Sequence, residues 1–174
     1  VYTIRFKDRT DFGGQEPLQL ESDSGLFEGH TTYVVSGYFF LYAVNSANGR
    51  KKWSFTTNNV LIVGSVSIAS SGDIYLCSAE KLFSLNAQDG TVKWSYSVAG
   101  IKSGPVIDTS DTAYFIAGNE VFAVKNDGNK LDSFSRNTYN PSTSTPTVSN
   151  GKVYVGSKDG RLYSLTAQLS YEWD

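Results

Sequence analysis

Side chains that could carry out chemistry are few and widely spaced in this sequence. His30 is the only histidine, so a histidine-based zinc site is excluded and a Ser-His-Asp arrangement would depend wholly on it; a surface histidine next to Gly29 is the favoured interpretation. Cys77 is the only cysteine, which excludes an internal disulfide, and its apolar neighbours predict a buried thiol. No glycine-rich phosphate-binding motif occurs. We therefore predict no catalytic residue, no metal and no cofactor.

The carboxylates fit turns better than ligand sets. Asp108 and Asp111 are the nearest to an acidic cluster, but their spacing is typical of a polar turn, and a calcium loop needs more ligands in sequence. Asp89, Asp127 and Asp159 each precede a glycine and could be read as one metal or sugar ligand per repeat. Asp-Gly turn chemistry accounts for them without a ligand.

The overall composition indicates a folded domain without a nucleic-acid or membrane footprint. The chain is 40% hydrophobic and 14% aromatic with only 18% charged residues, which argues against a disordered or coiled-coil protein. A net charge of −2, with single scattered lysines and arginines, offers no basic patch for nucleic acid. The longest apolar candidate, residues 60–68, is far short of the roughly 20 residues that cross a bilayer.

An internal repeat dominates the sequence. Residues 41–53 align with residues 82–94 without a gap, 41 positions later, and both segments end in a tryptophan. Weaker copies begin at Val121 and Leu162; the third lacks the tryptophan, whose place we expect Leu131 or Phe134 to fill, and the fourth leads to Trp173. A period of about 40 residues suits a four-stranded propeller blade.

A second series of residues sets the strands in register. Tyrosines centred in β-rich stretches recur upstream of each copy and predict second strands at Tyr33, Tyr75, Tyr114 and Tyr154. Short innermost strands are predicted six or seven residues earlier, at Leu26-Phe27, Val66-Ser67-Ile68, Pro105-Val106-Ile107 and Pro146-Thr147-Val148. No window has helical periodicity, so the sequence predicts an all-β fold.

The segment from Tyr42 to Trp53, and its copy from Phe83 to Trp94, resembles the quinoprotein (PQQ)-like repeat. The resemblance implies a β-propeller of about four four-stranded blades, in which the turn glycine permits the turn and the tryptophan packs between adjacent blades. The motif residues so implied are Trp53, Trp94, Trp173, Gly49, Gly90 and Gly128. The family includes quinone- and calcium-dependent dehydrogenases as well as outer-membrane assembly scaffolds, and this chain most resembles the non-catalytic branch.

The predicted organisation is a single propeller domain over residues 1–174, with blades at about 25–60, 61–100, 101–141 and 142–174. Residues 1–6 read as a strand that could complete the last blade and close the ring, and residues 7–24 as a polar loop. Two alternatives stay open: a piece of a longer propeller, or two chains that form one eight-bladed ring, since four blades make a tight circle.

Tyr38, Phe39 and Phe40 replace a polar hairpin turn and are the candidate partner surface, unless residues 7–24 cover them. The leading functional hypothesis is a non-catalytic scaffold or binding module for a protein partner, in an extracytoplasmic compartment. The alternative is a lectin-like propeller for carbohydrates or small ligands, and a fragment of a quinone-dependent dehydrogenase is less favoured. Neither nucleic acid nor a membrane span is predicted.

Overall fold

The computed structural model describes residues 31–36, 38–135 and 145–169. Every regular element in these ranges is a β-strand, as the β-branched and aromatic composition of the repeats predicts. The strands are β1 (Thr31–Ser36), β2 (Phe40–Asn45), β3 (Lys51–Thr56), β4 (Ser67–Ile68), β5 (Ile74–Cys77), β6 (Lys81–Leu85), β7 (Val92–Ser97), β8 (Val106–Ile107), β9 (Ala113–Ala117), β10 (Glu120–Val124), β11 (Lys130–Phe134), β12 (Thr147–Ser149), β13 (Lys152–Gly156) and β14 (Leu162–Thr166).

The strands form four antiparallel sheets in which each strand pairs with the next along the chain. Sheet 1 is β1-β2-β3, sheet 2 is β4 to β7, sheet 3 is β8 to β11 and sheet 4 is β12-β13-β14. The innermost strands predicted for sheets 2, 3 and 4 are confirmed as β4, β8 and β12, and the tyrosine series is confirmed as second strands. This simple meander order is what short hairpin turns impose.

Several predicted features lie outside the described residues. They are the closing strand at residues 1–6, the loop at 7–24, the first innermost strand at Leu26-Phe27, His30 and Trp173. By its internal contacts the chain divides into two compact units, residues 1–59 and 60–174. Sheet 1 belongs to the first unit and sheets 2, 3 and 4 belong to the second.

The core of the second unit lies between its sheets. One cluster joins sheets 2 and 3 and includes the buried side chains of Tyr75, Cys77, Leu82, Phe115 and Phe122. The other joins sheets 3 and 4 and includes those of Tyr114, Val121, Val155, Tyr163 and Leu165. Each fully buried large apolar side chain stabilises the fold by roughly 1.5–3 kcal/mol, so face-to-face packing holds these sheets together.

The two faces of each sheet carry different residue types. We call the face that bears Tyr75 in sheet 2 and Tyr114 in sheet 3 the forward face, because it packs on the next sheet along the chain. The opposite, backward face bears Phe122 in sheet 3 and Tyr163 in sheet 4. Alternation of side chains along each strand separates the two sets.

Candidate interaction surface

A row of three residues crosses the forward face of each sheet. In sheet 2, Tyr75 lies opposite Ser84, which lies opposite Trp94. The tyrosine and tryptophan rings meet edge to face over the small central residue, with their centroids 5.2 Å apart. Such a contact requires a small middle side chain, because the outer two belong to strands about 10 Å apart.

Sheet 1 repeats the arrangement with different spacing between the rings. Tyr33, Ala43 and Trp53 form its row, and the two ring centroids are 5.7 Å apart. Trp53 is 7% exposed. The middle residue is therefore alanine here and serine in sheet 2, and both leave room for the aromatic pair.

Trp94 also reaches the next sheet. Its indole Nε1 donates a hydrogen bond of 2.7 Å to the carbonyl oxygen of Asn126, in the turn that follows β10. Gly128 in the same turn has φ +83°, and a Cβ on it would lie 3.1 Å from the indole ring. The glycine thus serves both the left-handed turn and the close approach of the tryptophan.

In sheet 3 the tryptophan position is occupied by Asp132. Ala123 lies opposite Tyr114 on one side and Asp132 on the other, in the same register as the rows of sheets 1 and 2. The expectation that Leu131 or Phe134 fills this place was wrong. Leu131 is 36% exposed, and Phe134 pairs with Val121, so it takes the position that Tyr96 has opposite Leu82 in sheet 2.

Tyr114 supplies the missing contact to the following sheet. Its hydroxyl lies 3.0 Å from the carbonyl oxygen of Ala167, in the turn after β14 that corresponds to the Asn126 turn. The same hydroxyl lies 2.9 Å from Asp108 Oδ2, so one hydrogen is shared by two acceptors. Burial and the Asp108 carboxylate raise the pKa of Tyr114 above its ordinary value, which keeps the hydroxyl a donor.

Asp111 links sheets 2 and 3 through the turn before β9. Its carboxylate accepts hydrogen bonds from the backbone nitrogen and the hydroxyl of Ser70, at 2.7 and 2.6 Å. Burial raises the pKa of this carboxyl, but the hydrogen bonds from Ser70 and the backbone of Ser71 outweigh it and bring the pKa below its ordinary value. Asp111 is a structural acceptor between sheets.

The other predicted turn carboxylates are also engaged locally. Asp89, Asp127 and Asp159 each accept a backbone hydrogen bond from the residue two positions on, at 3.0, 2.9 and 3.1 Å. For Asp89 and Asp127 the first cause of a lowered pKa is that backbone bond, and for Asp159 it is the Tyr163 hydroxyl. Within the described ranges, no three His, Cys, Asp or Glu side chains are grouped to hold a metal ion.

The remaining motif residues lie where the repeat places them. Gly49 and Gly90 occupy the turns before β3 and β7 with φ values of +68° and +74°. Each donates its backbone nitrogen to an asparagine carbonyl four residues earlier, Asn45 or Asn86, at 2.8 Å. Cys77 is fully buried, and burial raises the pKa of its thiol, which confirms the prediction of a small core residue.

The aromatic turn, residues Tyr38, Phe39 and Phe40, joins β1 to β2. Tyr38 is 71% exposed and has φ +68°, a conformation that side chains with a Cβ rarely adopt. Phe39 is held from the other side, because its carbonyl oxygen accepts hydrogen bonds from the backbone nitrogen and hydroxyl of Thr57 at 3.0 and 3.2 Å. The turn is therefore anchored at its backbone and exposed at its tip.

Aromatic rings continue from this turn onto the backward face of sheet 1. The Tyr38 and Phe39 rings have centroids 6.4 Å apart, and Phe40 stacks on Tyr42 at 6.0 Å with an interplanar angle of 22°. The sequence pointed to the first three rings and missed Tyr42. Its position two residues after Phe40 on a strand was the available signal, because such residues share a face.

Comparison with protein families gives one decisive match. The family model described as outer membrane protein assembly factor BamB matches residues 22–169. The chain belongs to the BamB family. The resemblance drawn from the tryptophan-ended repeats is confirmed, and so is the all-β propeller fold of about four blades that it implied.

Solved structures show the same fold at low sequence identity. BamB from Moraxella catarrhalis aligns with a TM-score of 0.67 and 17% identity, over 91% of this chain and 49% of that one. The C-terminal WD40 domain of Sif2 aligns with a TM-score of 0.65 and 10% identity, over 77% of this chain and 39% of that one. The chain thus spans about half of that BamB or less of such propellers. No curated protein matches it by sequence.

A third structure, a Bacteroides caccae protein of unknown function, has a TM-score of 0.53 and 14% identity over 74% of this chain and 50% of that one. Its likeness adds to the fold alone. As for the membrane, the described part of this BamB-family chain contains no helix with the length and hydropathy of a membrane span.

One contact between sheets escaped the sequence interpretation altogether. A Cβ on Gly64, before β4, would lie 2.5 Å from the backbone nitrogen of Gly104, before β8. Two backbones therefore touch where successive innermost strands begin. The signal was a second glycine 40 positions after the first, at the same place in the BamB-family repeat.

Proposed function

We propose that this chain is a non-catalytic protein-interaction module of the BamB family, and that its aromatic turn contacts the partner. The observation that carries the proposal is the 71% exposure of Tyr38 at the tip of an anchored turn. Aromatic side chains are enriched among the residues that dominate binding energies, since they remove large areas from water at a small entropic cost.

Comparison with the other sheets supports a role beyond folding. The corresponding turns of sheets 2, 3 and 4 carry polar residues, namely Glu80-Lys81, Asn119-Glu120 and Asp159-Gly160. A turn here therefore does not need aromatic residues. A non-glycine residue with a left-handed backbone also costs on the order of 1–3 kcal/mol, and such strain concentrates at functional positions.

The family description supports a partner in outer-membrane protein assembly and an extracytoplasmic location. Protein partners of such assemblies are recognised by exposed backbone edges and apolar side chains, which an aromatic turn on a rigid sheet suits. The coverage of about half of a BamB chain makes the partner of this chain a proposal in its own right.

The carbohydrate hypothesis remains the alternative, with a site repeated in each sheet. The Asp-Gly turns are its only repeated acidic feature in the described ranges, and their carboxylates already accept backbone hydrogen bonds. A lectin of this kind would need those oxygens for sugar hydroxyls. We therefore rank it below protein binding, and a dehydrogenase fragment below both.

The test compares Tyr38→Ser with Ile68→Ser, which removes another exposed apolar side chain, 56% exposed, from sheet 2. Each immobilised variant and the wild type are incubated with solubilised outer-membrane extract, and bound proteins are identified by mass spectrometry. We expect an assembly component to be retained by the wild type and Ile68→Ser and lost by Tyr38→Ser.

Equal retention by both variants would contradict the aromatic turn as the contact. Calorimetry with a glycan panel provides the second arm: binding near one glycan per sheet, insensitive to Tyr38→Ser, would favour the lectin alternative. Circular dichroism of both variants verifies that neither substitution alters the fold.

A further inference from the structure

The forward face of sheet 4 differs from the other forward faces in its exposure. Leu162 is 65% exposed, whereas Leu41, Leu82 and Val121, in the same position of sheets 1, 2 and 3, are each fully buried. The register establishes the equivalence, because all four begin the same repeat segment of the third strand. A leucine is thus presented on a face that elsewhere is covered.

The two sheet interfaces of the second unit show what covers such a face. The backward face of the following sheet supplies a cross-strand pair, Phe115 with Phe122 in sheet 3 and Val155 with Tyr163 in sheet 4. These pairs lie in the two hydrophobic clusters against the forward face of the preceding sheet. The expected cover for Leu162 is therefore a β-branched or aromatic residue paired across strands with an aromatic one.

Sheet 1 carries such a pair on its backward face. Val34 lies opposite Tyr42, in the same register and with the same two residue types as Val155 and Tyr163. Val34 and Tyr42 are both partly exposed, unlike Val155 and Tyr163, which are buried at 2% and 1% exposure. The two faces are complementary by the rule that the described interfaces follow.

We propose that two copies of this chain dock reciprocally, with the Tyr154 and Leu162 face of sheet 4 in one copy packed on the Val34 and Tyr42 face of sheet 1 in the other. A contact between unlike faces can close only if it is made twice in a two-copy particle. The alignment with 49% of the Moraxella catarrhalis BamB chain agrees, since two copies supply about the length of that one propeller. This inference does not depend on the proposed function.

The solution mass is the first test. Sedimentation equilibrium of the full 174-residue chain is expected to give twice the 19.0 kDa of one copy. Leu162→Asp should shift it to a single copy, because an aspartate on the docked face would bury an unpaired charge. Val92→Asp, at a residue 48% exposed on another sheet, should leave the two-copy mass unchanged.

A single-copy mass for the wild type at all concentrations would overturn the proposal, and so would a two-copy mass that Leu162→Asp leaves intact. If Leu162→Asp fails to fold by circular dichroism, cross-linking gives the answer. Packed sheets are about 10 Å apart, too far for a disulfide but within reach of a short bis-maleimide.

For cross-linking, differently tagged copies carry Leu162→Cys or Tyr42→Cys, and native Cys77 is buried and does not compete. We expect a covalent heterodimer that is lost when Val92→Cys replaces Leu162→Cys. Its absence would overturn the proposal. A cross-link formed within one copy carrying both cysteines, with a single-copy mass, would do the same.

Discussion

Trp94 of sheet 2 and Tyr114 of sheet 3 make equivalent hydrogen bonds to the sheet that follows each of them. The indole nitrogen reaches the carbonyl oxygen of Asn126 at 2.7 Å, and the phenol reaches that of Ala167 at 3.0 Å. Both acceptors lie two residues after the end of the matching apolar segment. When Asp132 takes the tryptophan position, the tyrosine of the same row takes over its hydrogen bond.

Replacement of Trp94 by phenylalanine should destabilise the packing of sheets 2 and 3. The variant loses the hydrogen bond to Asn126, worth about 1 kcal/mol, and part of a half-buried ring, so we expect a total loss of about 1–2 kcal/mol. The free energy of unfolding from denaturant titration measures it. Tyr96→Phe, on the same strand, is the control, and an equal effect of both substitutions would argue against a special role for Trp94.

Gly128→Ala should cost more than Gly160→Ala. Both glycines have φ +83°, so both alanines meet the same backbone strain, of about 1 kcal/mol. Only the Cβ at 128 also meets the Trp94 ring, at 3.1 Å, whereas nothing lies within 4 Å of a Cβ at 160. The difference between the two unfolding free energies isolates the tryptophan contact, and a difference near zero would mean that the ring moves aside freely.

Asp111 should make stability fall in acid. Its pKa in the folded protein is below the ordinary value of about 3.9, so its contribution is full above that pH and is lost as pH falls through the folded pKa. Asp111→Asn keeps a side chain that tolerates φ +58° but cannot accept both Ser70 bonds through a carboxylate. We expect this variant to be less stable near pH 7 by about 1.5–3 kcal/mol and to lose less stability below pH about 4. Parallel pH curves for the two proteins would contradict this role.

Ser84→Ala should leave stability unchanged or raise it by up to about 1 kcal/mol. The Ser84 hydroxyl is buried and has no hydrogen-bond partner in the described part of the chain, and alanine occupies the same row position in sheets 1 and 3. A buried unsatisfied hydroxyl costs about 1–3 kcal/mol. The reverse change, Ala123→Ser, should destabilise by a similar amount. A clear loss of thermal stability in Ser84→Ala would reveal a partner for the hydroxyl.

The sequence by itself determined the repeat, the strand order and the turns. Residues that alternate along a strand, together with Asn-Gly and Asp-Gly turns, depend on neighbours a few positions away, so Tyr33, Tyr75 and Tyr114 could be placed on second strands without a structure. The aromatic turn was also visible, because Tyr38 breaks a pattern of polar turns.

Only the tertiary structure decided which residues meet between sheets. Asp132 in the tryptophan row, the Tyr114 contact with Ala167 and the exposure of Leu162 depend on register across strands and on the neighbouring sheet. A single bulge, such as the register shift between Ala123 and Val124, changes the partner of every residue beyond it. Spacing along the chain does not encode that shift, because a local backbone irregularity and packing across about 10 Å set it together.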